Sequence, residues 1–123
     1  MKYVFLVLGG SSGAFLRYIS TNIASRAIPT SFPIGTLLVN ILGSFFIGLL
    51  YGLFESFSLS ENYRIFIFTG LLGSFTTFST FSYESFSLLK TGEFKLAFLN
   101  IFGSVFLGLI AVFFGYFISS KLN

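Results

Sequence analysis

The chain has 123 residues, of which 54% are hydrophobic and only 9% are charged. Because soluble domains carry about 25% charged residues, this composition predicts a single integral membrane domain over residues 1–123. The absence of Cys and His excludes thiol chemistry, disulfides and the commonest general base. The net charge of +3 comes from scattered residues without a basic run, so no nucleic-acid partner is predicted.

Four apolar stretches are each as long as the ~20 residues that a membrane-spanning helix needs. In chain order they are predicted to cover about residues 3–24, 34–54, 65–89 and 96–119. The first stretch lacks a cleavage signature, so no removable signal peptide is expected. In-and-out alternation is too weak for a β-barrel. The predicted fold class is therefore an all-α integral membrane protein with four transmembrane helices.

The first predicted helix carries small residues and a charge on one face. Gly9, Gly13 and Arg17 recur every four residues, which places them on the same side of the helix. Small residues at this spacing favour close helix packing. A charge inside a span is a functional candidate by default, and a side chain that reaches back to the membrane interface is the alternative interpretation of Arg17.

Polar residues recur at the same spacing on the second and fourth predicted helices. Thr36, Asn40 and Ser44 form one stripe, and Asn100 and Ser104 form another. Each amide brings donors and an acceptor into a region that penalises unsatisfied polar atoms. Two roles fit both asparagines: a packing clamp between helices, or a donor that lines a pore. The pore role is favoured for Asn40 because its neighbours on the stripe are also polar.

Residues 73–81 form an unusual segment inside the third apolar stretch, because hydroxyl side chains are interspersed there with three phenylalanines. β-Branched residues such as Thr76 and Thr77 disfavour a helix interior, and their hydroxyls compete for backbone partners. We therefore predict a break in the third helix. At bilayer depth, broken backbone survives only where protein buries it or where it lines a watery cavity, so the segment indicates an ion pathway.

Phe78 and Phe81 are three residues apart on one helix face and are interleaved with Ser79 and Thr80. A phenyl ring has a positive edge, so ring edges, amide N–H groups and hydroxyls together suit a small, strongly hydrated anion. Conduction also requires that the site release its ion, which weakly attracting ring edges allow. Glu84 follows as the second charge inside a predicted span and is a further functional candidate.

The positive charges do not favour one orientation in the membrane. Three of them lie on each side of the predicted topology: Lys2, Arg64 and Lys121 on one, and Arg26, Lys90 and Lys95 on the other. A chain without this bias inserts both ways, and an antiparallel homodimer is then the natural closed assembly. The alternative is that late folding or lipid sets one orientation despite the balance.

Three runs in the sequence match the pattern of a known family: GGSSGAFLRY at 9–18, GTLLVNILGS at 35–44 and GLLGSFTTFSTF at 70–81. With these runs the chain resembles the Fluc/CrcB family of fluoride ion channels over essentially its whole length. The resemblance implies a dual-topology homodimer in a bacterial inner or plasma membrane, crossed several times by each chain. It implies passive fluoride efflux, and so fluoride resistance, through two pores along the dimer interface. It also implies one structural sodium ion at the dimer centre that is not transported.

The same resemblance implies roles for particular residues. Asn40 is expected to be the pore-facing amide, and the edges of Phe78 and Phe81 are expected to face the permeating fluoride. The backbone carbonyls of Gly73 and Thr76 are expected to bind sodium, together with the same two carbonyls of a second subunit. Other residues expected along the fluoride pathway are Thr36, Ser79, Thr80, Glu84, Ser104 and Arg17, with Asn100, where many relatives carry a tyrosine, as a secondary candidate.

Two other functions are consistent with four short spans. A small dual-topology, proton-coupled multidrug exporter would need a membrane carboxylate, normally on the first helix, where this chain has Arg17 and no acid; Glu84 is the only candidate. A non-transporting membrane scaffold would use the polar stripes for packing alone. An enzyme is not expected, since no nucleophile–base constellation exists.

Overall fold

The computed structural model describes residues 1–56 and 58–122, and the regular structure in those ranges is helical throughout. Four helical spans are long and apolar enough to cross a membrane: Lys2–Ala27, Ile34–Leu53, Glu61–Lys90 and Phe94–Leu122. These spans confirm the all-α class and the four predicted transmembrane segments. The third span begins earlier than predicted because Ser60 caps it, its side chain accepting a hydrogen bond from the Tyr63 N–H.

Three of the spans are single helices, which we call α1 (Lys2–Ala27), α2 (Ile34–Leu53) and α6 (Phe94–Leu122). The third span is composite. It consists of α3 (Glu61–Arg64), a π-helical segment (Ile65–Leu72), α4 (Gly73–Phe75) and α5 (Phe78–Lys90). The predicted break therefore exists, and it separates α4 from α5.

Glycines allow α2 and α6 to pack closely along their length. A Cβ added to Gly48 would lie 2.2 Å from the carbonyl oxygen of Val112, and one added to Gly115 would lie 2.2 Å from that of Phe45. No side chain fits at these distances, so the two backbones are in direct contact. Small residues thus allow close packing at this interface, the role that the sequence predicted for those of the first helix.

The π-helical segment packs against α1, and glycines again mark the closest approach. A Cβ on Gly9 would lie 2.4 Å from the carbonyl oxygen of Phe66, and one on Gly70 would lie 2.9 Å from the Gly9 Cα. Extended π-helices are rare and are frequently found at functional sites. The segment leads directly into α4 and the break, so the contact with α1 fixes the position of the break.

Candidate functional site

The helix break lies at Thr76 and Thr77, inside the predicted segment 73–81. Thr76 has φ −89° and ψ 158°, and Thr77 has φ −149° and ψ 123°, so both are extended. The hydroxyls of both threonines form hydrogen bonds with backbone groups at the break, as expected from their competition for backbone partners. Thr76 Oγ1 donates to the carbonyl of Leu72 at 3.0 Å, and Thr77 Oγ1 accepts from the N–H of Thr80 at 3.2 Å, which caps α5.

Asn40 on α2 holds the broken backbone with two hydrogen bonds. Its Nδ2 donates to the carbonyl of Thr77 at 3.0 Å, and the N–H of Thr77 donates back to Oδ1 at 2.8 Å. A Cβ on Gly43 would lie 2.2 Å from Thr76 Cγ2, so that glycine lets the break approach α2. Asn40 is therefore a clamp between helices, the first of the two roles that the sequence left open, and it also lines the cleft described below.

The break changes the hydrogen bonding of two carbonyls. In an unbroken helix the N–H of Thr77 would donate to the carbonyl of Gly73, and that of Thr80 would donate to the carbonyl of Thr76. The first N–H instead donates to Asn40 and the second to the Thr77 hydroxyl. The Gly73 and Thr76 carbonyls have thus lost their helical donors, and carbonyl oxygens are ligands that hard cations prefer. This donor set fits an alkali cation.

Arg17 contacts a third carbonyl that the break releases. Its Nε donates to the carbonyl of Ser74 at 2.9 Å in a partly buried contact. A cation is favourable there because α4 ends at this point and its carbonyls carry the negative end of the helix dipole. The side chain therefore reaches into the protein instead of extending to the membrane interface. Within the described residues Arg17 and Glu84 form no ion pair, and the Oε1 of Glu84 is buried without a hydrogen-bond partner.

An open cleft of about 320 Å³ runs beside the break between α2, α5 and α6. The rings of Phe78 and Phe81 line it with centroids 5.8 Å apart and planes at 46°. Phe78 is 78% exposed, whereas Phe81 is partly buried. The cleft brings together six of the residues expected at the two sites: Asn40, Gly73, Thr76, Phe78, Phe81 and Ser104.

A second cavity of about 310 Å³ contains two other predicted residues, Thr36 and Glu84, beneath the connector between α1 and α2. A polar cavity of this size has room for water. Thr80 lines neither of these two cavities and bonds to Thr77 through their hydroxyls at 3.1 Å. Ser79 is exposed and also lies outside both.

Asn100 lies behind the cleft and is only 1% exposed. Its Nδ2 donates to Ser85 Oγ at 2.8 Å, and its Oδ1 accepts from Ser104 Oγ at 3.2 Å. The Ser85 hydroxyl in turn donates to the carbonyl of Phe81 at 2.9 Å. No role for Ser85 was predicted from the sequence, because a serine that meets another helix through tertiary packing leaves no pattern in its own segment.

Comparison with known proteins decides the family. The sequence model described as CrcB-like protein, Camphor Resistance (CrcB), matches residues 4–116. The chain belongs to the CrcB-like family. The match covers α1 to the last turns of α6, including the break and both polar stripes, so it confirms the family resemblance expected from the three sequence runs. The four apolar spans make this CrcB-like chain a multi-pass membrane protein.

Several similar proteins carry the name fluoride-specific ion channel FluC. The one from Parabacteroides distasonis is 46% identical over 115 residues, covering 94% of this chain and 90% of the relative. The one from Pyrococcus abyssi is 45% identical, covering 96% and 95%, and the one from Thermus thermophilus is 46% identical, covering 94% and 92%. These names describe ion channels and not enzymes, as predicted for this CrcB-like chain.

Proposed function

We propose that the chain is a fluoride-selective channel that lets fluoride leave the cell passively and so provides fluoride resistance. The observation that carries the proposal is the cleft, where Asn40, two phenyl rings and Ser104 surround one open space. The names of the similar proteins support the same conclusion. Fluoride efflux protects the cytoplasm only if the channel lies in the membrane that encloses the cytoplasm. We therefore place the protein in a bacterial inner or plasma membrane.

The chemistry of the cleft suits fluoride because removing water from a small anion is very costly. Replacement donors have to be present along the whole path. The clamp at Thr77 uses one amide hydrogen of Asn40, which leaves the second for an anion. Positive ring edges of Phe78 and Phe81 attract an anion more weakly than a full charge would, so the ion is bound and then released.

We also propose that two chains form an antiparallel homodimer around a structural sodium ion. The balanced positive charges support dual topology, and the open side of the cleft, with its 78% exposed Phe78, suits closure by a second subunit. The Gly73 and Thr76 carbonyls of both subunits would supply four oxygen ligands. A cation bound there would neutralise the dipoles of the Gly73 and Thr76 carbonyls, which the helix breaks leave without helical donors.

A proton-coupled exporter is the main competing function, and Glu84 allows a direct test. The Glu84→Gln variant keeps the size and polarity of the side chain but cannot carry a coupling proton. A channel will still release fluoride from liposomes in this variant when no proton gradient is present. Glu93→Gln, in the exposed turn after α5, is the matched control. Efflux that requires both Glu84 and a proton gradient would contradict the channel and support a pump.

A further inference from the structure

A directed chain of hydrogen bonds runs behind the cleft from Ser104 to α5. The Ser104 hydroxyl donates to Asn100 Oδ1 at 3.2 Å, and Asn100 Nδ2 donates to Ser85 Oγ at 2.8 Å. The Ser85 hydroxyl then donates to the carbonyl of Phe81 at 2.9 Å. Every hydrogen in this chain points away from the cleft and towards α5.

The direction of these hydrogen bonds determines which part of the Ser104 hydroxyl is available to the cleft that Ser104 lines. A hydroxyl has a single hydrogen and two lone pairs. Because the hydrogen is directed at Asn100, the lone pairs are the part of the hydroxyl that remains for the cleft. Lone pairs repel an anion, so in this arrangement Ser104 is an acceptor where fluoride needs a donor.

The direction of the hydrogen bonds from Ser104 to Phe81 is reversible because the two ends of a primary amide have nearly the same shape. If the Asn100 amide turns over, its Nδ2 donates to Ser104 Oγ and its Oδ1 accepts from the Ser85 hydroxyl. The Ser104 hydrogen is then free for the cleft. The Phe81 carbonyl loses only a side-chain donor, since it lies within α5 and keeps its place in the helical hydrogen-bond pattern.

The count of hydrogen bonds decides which direction is preferred. Without an anion the reversed chain has one bond fewer, because Ser104 donates to nothing. With fluoride in the cleft that bond is restored, and a bond to an ion is stronger than one between neutral groups. An anion therefore favours the reversed state and shifts the population towards it.

We propose that Asn100 is a positioning residue that sets the polarity of Ser104 and reverses it when fluoride enters the cleft. The proposal rests on the proposed function, because it assumes that fluoride passes Ser104. Asn100 itself is 1% exposed and acts through the serine without touching the ion. In the CrcB-like chain it would tune how tightly fluoride binds in the cleft.

The test compares Asn100→Asp with Asn100→Leu in proteoliposomes, with the fluoride concentration for half-maximal efflux as the readout. At high pH the aspartate accepts from both serines, so the Ser104 hydrogen stays turned away from the cleft. We expect that concentration to rise about tenfold, the equivalent of one lost hydrogen bond to an ion. Acidification should reverse the rise, because a protonated carboxyl again offers a donor at one end. Asn100→Leu, which leaves the Ser104 hydrogen free, should raise that concentration much less than Asn100→Asp does.

Two controls separate polarity from charge and from folding. In a Ser104→Ala background, Asn100→Asp should cause no further change; a full effect there would mean that the new charge acts directly on fluoride, and would overturn the proposal. If the aspartate and leucine variants impair fluoride efflux equally and lose thermal stability equally, Asn100 acts only as a packing clamp. That result would overturn the proposal. If Asn100→Leu does not fold, Asn100→Ser replaces it, since its hydroxyl can donate or accept. A wild-type protein without fluoride efflux would instead contradict the proposed function itself.

Discussion

Asn40 shows how one side chain serves both the fold and the site. Its amide makes two hydrogen bonds to Thr77 across the break, and it lines the cleft at the same place. A partly buried amide left without these partners would be costly, so the contact favours this arrangement of the break against α2. In the proposed channel, the amide hydrogen of Asn40 that remains for an anion is consequently held in a fixed position.

The phenyl ring of Phe81 provides the sharpest test at the residue scale. Phe81→Ile keeps a large apolar side chain but removes the positive ring edge from the cleft. We expect fluoride efflux to fall by about tenfold or more, the loss of one favourable contact of roughly 1.4 kcal/mol, while the protein remains folded. Phe15→Ile is the control, because Phe15 is 63% exposed on α1 and outside the cleft. Unchanged efflux in the Phe81 variant would remove the ring edge from the mechanism.

A shared helix face was predictable from the sequence where polar side chains repeat along a helix. The four-residue spacing of Thr36, Asn40 and Ser44 identified a polar face without any structure. The partner of Asn40 was not predictable, because it is the backbone of Thr77 on another helix and backbone atoms carry no sequence signal. The contact between Arg17 and the carbonyl of Ser74 was not predictable for the same reason, because its acceptor is also a backbone atom.

The third span is where local sequence and tertiary contacts determine an element together. Its hydroxyl-rich segment ends α4 and begins α5, and side chains from α1 and α2 form hydrogen bonds to the backbone of Ser74 and Thr77 at the break. The break was predictable because Thr76 and Thr77 disfavour a helix interior. The π-helical geometry of Ile65–Leu72 was not, because an apolar run without charges has no periodicity that separates it from an α-helix.

Arg17 tests whether α1 supports the break through a specific contact or through charge alone. Arg17→Lys keeps the charge but loses the side-directed Nε donor that bonds to Ser74. We expect the free energy of unfolding to fall by about 2 kcal/mol, typical of a hydrogen bond to a charged group, and efflux to fall with it. Thermal unfolding in detergent measures the first effect. Arg26→Lys, at the exposed end of α1, is the control, and an Arg17→Lys variant as stable and active as wild type would contradict the specific contact.

For the whole molecule, hydropathy and length were sufficient to predict four spans, since a membrane-crossing helix needs a continuous apolar stretch. The predicted bounds of the first, third and fourth spans stop short of the helix ends because charged residues such as Glu61 and Lys90 lie in the outer turns. Assembly is a different matter. The balance of positive charges predicts dual topology, but the contacts between two copies depend on surfaces that a single sequence does not describe.

Removal of sodium tests the proposed centre of the dimer. Replacing sodium on both sides of the membrane with a large organic cation should lower both thermal stability and fluoride efflux. The reason is that the Gly73 and Thr76 carbonyls, whose helical donors are diverted, would lose their cation. Size-exclusion chromatography and unfolding at matched ionic strength measure the loss. Identical stability, assembly and efflux in the two media would contradict the sodium site.

The most direct test of the proposed channel is fluoride efflux from liposomes that contain the purified protein, with chloride as the matched control ion. We predict rapid fluoride release driven by the fluoride gradient alone, together with little or no chloride release. Folded, dimeric protein that releases no fluoride would contradict the channel and leave the polar stripes as packing motifs. Equal release of the two anions would contradict the selectivity assigned to the cleft beside the helix break.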